Sequence, residues 1–228
     1  MRLDYTAVIP AYNAAATIAE AIDSILGQTV KPVSIVVVDD GSTDGTGAIA
    51  AACSRLVRVI RQDNAGVSVA TNTGIDAVTT ALVAFLDADD IWLANKSARQ
   101  IARLEADAGL DAVFSRMRLF QDGRPVDAMA EERDNWGRPT LLIRTARCRA
   151  VGPLSDPSGG GGRGDMVDWI ARARDAGLRL EMMPEVLALR RVHASSMSHG
   201  YGERDIGYLR AVKAALDRRR ASGAKPRG

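Results

Sequence analysis

The chain has 228 residues, 46% of them apolar and 4% aromatic, with a net charge of +2 and a pI of about 8.7. That length suits one α/β domain with a sizeable core, and the charge balance provides no basic field for nucleic acid. No apolar run approaches a membrane span, and Met1-Arg2-Leu3-Asp4-Tyr5 has no signal-peptide layout, so a cytoplasmic protein is expected. Thr6-Ala7-Val8-Ile9-Pro10 reads as a short strand stopped by proline, and Ile18, Ile22, Ile25 and Leu26 then recur at helical spacing up to Gly27. Residues 33–38 are a second, β-branched strand. Ser42 or Thr43 is placed to cap a helix over 48–54. A strand over 57–60, a helix over 67–78 interrupted by Gly74, a strand from Ala81 and a helix over 97–108 follow. Such alternation predicts a parallel sheet covered by helices on both faces. Cys53 and Cys148 are far apart, match no metal spacing and read as reduced structural thiols.

Polar residues gather where these strands end. The apolar run Ala81-Leu82-Val83-Ala84-Phe85-Leu86 stops in Asp87-Ala88-Asp89-Asp90. A divalent cation, its shell completed by nucleotide phosphates, is the most economical partner for acids held so close. The competing reading is an acidic turn that caps the next helix. Strand one exits into Pro10-Ala11-Tyr12-Asn13 and strand two into Asp39-Asp40-Gly41-Ser42-Thr43-Asp44. In a parallel sheet, ligands sit beyond these carboxyl ends. Tyr12 is placed to stack on a base, unless it is buried. Asp44 reads as a cap, and Asp40 is kept for the ligand. The second turn is not an EF-hand, because Ala51 stands where the bidentate glutamate belongs. Neither a Walker lysine motif nor Gly-x-Gly-x-x-Gly follows strand one, which argues against a P-loop NTPase and a dinucleotide dehydrogenase.

Thr6 to Asn13, Val37-Val38-Asp39-Asp40-Gly41-Ser42-Thr43-Asp44 and Phe85-Leu86-Asp87-Ala88-Asp89-Asp90 together resemble the nucleotide-sugar half of family 2 glycosyltransferases, which have the Rossmann-like GT-A fold. Asn64-Ala65-Gly66 and Asn72-Thr73-Gly74-Ile75 extend the match, although Thr71 stands where many members carry arginine. The resemblance implies a mixed, mostly parallel sheet flanked by helices, and a UDP-sugar donor with Mg2+ or Mn2+. It places Pro10, Ala11 and Tyr12, with Asn13 beside them, around the base, and Asp40 as acceptor of a hydrogen bond from it. Asp87 would lie near the ribose and Asp89 would bind the metal. One GT-A domain over 1–228 is expected, with a donor half over 1–110, an acceptor half over 111–203, and a C-terminal helix and basic tail over 204–228. The acceptor is open: sugar, lipid, peptide or small molecule.

The second half is less regular. Residues 111–120 suggest one or two strands, Asp122-Gly123-Arg124-Pro125 a turn, and 140–143 a short strand. Trp136 either stacks on a ligand or packs. Four glycines, 159–162, make 155–164 a candidate lid or a passive linker. The next helix opens with Asp165 and Asp168, which its dipole alone would favour. The resemblance puts a Glu-Asp pair here, its aspartate acting as general base on the acceptor. Gly164 replaces the glutamate and Asp165 matches the aspartate, with Asp168 second choice. Residues 178–183 and 186–189 read as closing strands. Arg190-Arg191-Val192-His193 is similar to the family's Arg-x-His segment, which implies Arg191 near the diphosphate and His193 near the metal. An amphipathic helix is expected over 204–220, and its basic end either touches anionic lipid or is a solvated, frayed terminus. An inverting transferase is the expectation. A nucleotidyltransferase and a non-catalytic nucleotide-sugar-binding or partner-binding module are the alternatives.

Overall fold

A computed structural model of the protein describes residues 3–122, 131–155, 164–192, 212–214 and 217. The first half follows the expected alternation: β1 (Tyr5–Ala11), α1 (Ile18–Leu26), β2 (Ser34–Asp40), α2 (Thr46–Cys53), β3 (Val57–Gln62), α3 (Val67–Asp76) and β4 (Leu82–Phe85). These strands run parallel in the order β3-β2-β1-β4. Next come β5 (Ile91–Trp92), α4 (Lys96–Ala106), β6 (Ala112–Phe120), β7 (Glu132–Asn135), a 3-10 turn (Arg138–Thr140), β8 (Leu142–Arg144), α5 (Thr145–Val151), α6 (Asp165–Asp175) and β9 (Leu180–Arg191). The sheet continues from β4 through β8, β6 and β9 to β5, with β7 paired to β6. β8 and β5 run antiparallel to their neighbours, while β6 and β9 are parallel to each other.

Strand residues alternate between two faces, so the core has two layers. Tyr5, Ala7 and Ile9 of β1 pack with Ile18, Ile22 and Ile25 of α1 and with Ile101 and Leu104 of α4. Val8, Val36, Val38, Val83 and Phe85 face the other way, onto Ala70 and Ile75 of α3 and Trp169, Ile170 and Ala173 of α6. β1 and β4 are buried throughout, which accounts for their near-continuous apolar runs.

Differences from expectation have local causes. The cap of α2 is Gly45 in the left-handed region, and Asp44 accepts from the Thr46 amide at 3.0 Å, so Ser42 and Thr43 are not its caps. The expected closing strands are one strand, β9, which absorbs Pro184 at a register shift opposite Ser115 and Arg116. β5 is too short to read from sequence, and β7 (Glu-Arg-Asp-Asn) has no apolar alternation. Glu132 holds β7 to β6 through Arg116 and Arg118, at 3.2 and 2.6 Å. α5 was also not expected, and the strand expected over 140–143 is displaced to Leu142–Arg144 by the 3-10 turn. Trp136 packs: its ring centroid lies 4.9 Å from that of Phe114, with the Arg174 guanidinium over it at 4.9 Å. Cys148 is buried, Cys53 partly so, and both are free thiols.

Candidate functional site

The parallel strands deliver the turns after β1, β2 and β4 to one rim. Asn13, with φ of 48°, ties the first turn to the second: its amide donates to Ser42 Oγ at 3.0 Å and its Oδ1 accepts from the Thr43 amide at 2.9 Å. The Ala14 amide donates to Thr46 Oγ1 at 2.8 Å and that of Ala15 to Asp44 Oδ2 at 3.0 Å. Pro10 and Ala11 are buried at the end of β1, whereas Tyr12 is 54% exposed, an aromatic left in solvent at the sheet's carboxyl edge.

Asp39 and Asp40 are both buried. Asp39 accepts from Arg61 Nη1 at 2.7 Å and the Ser42 amide at 2.9 Å. Asp40 Oδ1 accepts from Gln62 Nε2 at 2.7 Å and the Ala65 amide at 3.0 Å, and its Oδ2 from the Gly66 amide at 2.9 Å. Asp40 therefore shapes the Asn64-Ala65-Gly66 turn, and Oδ2 retains capacity for a further donor.

In the turn after β4, Asp87 and Asp89 are partly exposed and Asp90 is buried. Asp90 Oδ1 accepts from the Arg191 amide at 3.0 Å. Burial, then the negative charges of Asp87 and Asp89, push the Asp90 carboxyl well above the usual carboxylate range. The side chains of Asp87 and Asp89 offer hard oxygen donors at this turn, a donor type that fits Mg2+ or Mn2+. Among the described residues, no three His, Cys, Asp or Glu side chains converge to cage a metal. Arg191 lies against the turn: its Nε donates to the Asp89 carbonyl at 3.0 Å, its guanidinium pairs with Glu20 and Asp122, and it lies 4.6 Å from the Phe120 ring. His193, expected near the metal, and the glycine run 159–162 lie outside the described residues, as does most of the expected C-terminal helix.

Helix α6 begins at Asp165, after Gly164 with φ of 96°. Asp165 is buried. Its Oδ2 accepts from Ser68 Oγ at 3.0 Å and from Arg138 Nη1 at 2.5 Å, and its Oδ1 from the Met166 amide at 2.6 Å. Arg138 Nε also donates to Asp87 Oδ1 at 3.3 Å. One buried guanidinium therefore joins the acidic turn of β4 to the first turn of α6. Burial disfavours its charge, yet Asp87 and Asp165 more than offset this, so its pKa is raised above the ordinary arginine value. Asp168 is buried too, but it accepts from Arg172 Nε at 2.9 Å, and Arg172 in turn reaches the Val151 and Pro153 carbonyls, both at 2.7 Å. The two helix acids thus have different arginine partners.

Arg138 and Ser68 did not stand out in the sequence. Arg138 adjoins a polar, irregular stretch where an arginine reads as solvated surface, and only the tertiary fold brings it to Asp87 and Asp165. Thr71 lines a small cavity together with Arg138, Phe85, Met166 and Trp169. Asn72 clamps the Leu154 backbone, donating to its carbonyl and accepting from its amide, each at 2.8 Å.

The family model described as Glycosyl transferase family 2 matches residues 6–152. Glycosyltransferase GlyA of Streptococcus pneumoniae serotype 4 is 42% identical over 91 residues, 39% of this chain and 13% of the relative. Succinoglycan biosynthesis protein ExoO of Rhizobium meliloti is 40% identical over 130 residues, 56% of this chain and 37% of the relative. The chain thus spans a minor part of these relatives' length. S. aureus TarS 1-349 in complex with UDP-GlcNAc superimposes with a TM-score of 0.71 at 18% identity, over 94% of this chain and 66% of that one. Mannosyltransferase PcManGT from Pyrobaculum calidifontis, in complex with GDP-Man and Mn2+, gives 0.66 at 20% identity, over 99% and 77%. Among the described residues no helix is long and apolar enough to cross a membrane.

Proposed function

The chain belongs to glycosyl transferase family 2, and from that premise we propose that it moves a sugar, with inversion, from a UDP-sugar to an acceptor hydroxyl with the help of Mg2+ or Mn2+. The observation that carries this reading is the link from Asp87 through Arg138 to Asp165, which sets a carboxylate at a helix start beside the acidic turn of the donor rim. Support for the donor class comes from the UDP-GlcNAc of TarS 1-349 and the GDP-Man and Mn2+ of PcManGT. Membership of this family sets the nucleotidyltransferase reading aside.

In this reading Tyr12 stacks on the base, Pro10, Ala11 and Asn13 form the pocket's floor and rim, and Asp40 accepts a base N–H at Oδ2. Asp87 faces the ribose. Asp89, with His193, would hold the metal, which supplies positive charge to the departing diphosphate. Arg191 adds a second cation after exchanging Glu20 or Asp122 for phosphate oxygens. Asp165 takes the proton of the acceptor hydroxyl. The freed oxygen attacks the anomeric carbon from the face opposite the diphosphate, the new C–O bond forms, and the electrons of the old one leave on the nucleoside diphosphate. Oδ2 of Asp165 already accepts two hydrogen bonds, whereas among the described residues Oδ1 accepts from the Met166 amide alone, so Oδ1 is the oxygen that receives the proton. The chain serves as one GT-A domain, its donor half over 1–110 and its acceptor half over 111–203.

The test is hydrolysis of UDP-glucose, UDP-GlcNAc, UDP-galactose and GDP-mannose with Mn2+ and with EDTA. Metal-dependent release of UDP is expected. Release of GDP alone would move the donor assignment, and nucleotide binding without hydrolysis or transfer would make the chain a binding module.

A further inference from the structure

No step of the scheme above is assigned to Arg138, although its guanidinium bonds both Asp87 and Asp165. We propose that Arg138 is the positioning residue of this site, fixing the general base relative to the donor turn and selecting the oxygen that takes the proton. The inference rests on the reading of Asp165 as base.

Three sets of contacts carry it. First, the guanidinium addresses its partners through different nitrogens, Nε to Asp87 and Nη1 to Asp165. The planar fork itself therefore sets the spacing of the two carboxylates, which a lysine ammonium on a flexible stem does not do. Second, Arg138 is itself held fast. The Pro139 carbonyl accepts from Trp92 Nε1 at 2.8 Å, the Thr140 carbonyl from Gln100 Nε2 at 2.7 Å, and Thr140 Oγ1 donates to the Asn135 carbonyl at 2.6 Å. The turn that bears it is thereby tied to β5 and α4. Third, Arg138 and Ser68 both occupy Oδ2 of Asp165, and among the described residues Oδ1 has a single backbone partner. When Asp165 takes a proton, Arg138 keeps Asp87 as its counter-charge, and an arginine remains cationic throughout.

The experiment uses whichever of the four nucleotide-sugars above the wild-type protein hydrolyses fastest with Mn2+. Arg138→Ala should lower kcat by about 10²-fold, the scale of a misplaced catalytic group, with donor KM little changed. Millimolar guanidinium should restore part of that turnover. Arg138→Lys, which keeps the charge but loses the fork, should melt close to wild type and still lose most of kcat. If Arg138→Ala fails to fold, Arg138→Lys decides. Folded variants that turn over like wild type would overturn the proposal. So would a loss that guanidinium leaves untouched in a folded Arg138→Ala, which would mark Arg138 as merely structural. A wild-type protein that hydrolyses none of the four would remove the transferase reading and this inference with it, whereas an active wild type with indifferent variants removes this inference alone.

Discussion

At the level of single residues, the rim formed by the turns after β1, β2 and β4 combines side chains that fasten turns with an exposed aromatic and a partly exposed carboxylate. Asn13 and Asp44 tie the turns after β1 and β2 together, and Asp39 holds the turn after β2. Tyr12 and Asp89 keep exposure. A carboxylate that draws in a divalent ion through its charge cannot be replaced by a neutral isostere. Asp89→Asn should therefore abolish Mn2+-dependent UDP binding in calorimetric titration while circular dichroism stays unchanged, and wild-type affinity would remove Asp89 from the metal site. Gly74 is a packing position: a Cβ there would lie 2.3 Å from Val8 Cγ1, where α3 presses on β1. Gly74→Ala is expected to destabilise the fold by about 1–3 kcal/mol through overpacking, visible as a Tm several degrees lower; an unchanged Tm would show that the helix can shift without penalty. Rim residues such as Asp40 and Asp89 were legible in the sequence because they directly follow buried runs. Arg138 was not, since nothing local marks an arginine in a polar stretch as one that folding will bury between carboxylates.

Among the elements, the parallel half was legible because each strand is buried on both faces and each helix carries an apolar stripe. The acceptor side was legible only in part. There, β7 is held by charge pairs, α5 is short, and β9 carries a proline through a register shift, so periodicity fades. The contact between α4 and the 3-10 turn runs through Gln100, which itself partners a buried lysine that no pattern announces. Lys96 is 1% exposed, with Nζ 2.7 Å from Gln100 Oε1 and 4.1 Å from the centroid of the Trp92 ring. Gln100 and the ring favour the ammonium, but burial outweighs them and pushes its pKa well below the ordinary lysine value. The folded chain then gives up this proton at lower pH than the unfolded chain does. Between the depressed value and about 10.4, the unfolded state binds more protons, so this group adds stability as pH rises and the contribution is lost as pH falls through the folded-state value. Lys96→Met should flatten the difference in denaturant midpoint between neutral and alkaline pH, and slopes identical to wild type would refute the assignment.

Across the whole molecule, one sheet connects the donor and acceptor halves: β4 pairs with β8, and β5, which follows the acidic turn, pairs with β9. The Arg138 bridge crosses the same junction through side chains. Sequence motifs resolved the first half because polar turns there directly follow buried parallel strands. They said little about the acceptor, since this part of the chain presents no comparable local pattern and the chain spans only part of its relatives' length. We propose that chemistry occurs at this junction, with Asp165 as base beside the rim that holds the donor. It is tested most directly by comparing donor hydrolysis in Asp165→Asn and Asp168→Asn, with UDP affinity measured on the same samples. A general base contributes about 10²–10⁴-fold, so Asp165→Asn should lose kcat by that order with UDP binding intact, and Asp168→Asn should lose far less. Full turnover in Asp165→Asn would contradict the account: with loss in Asp168→Asn instead, the base is Asp168, and with loss in neither, α6 carries no base.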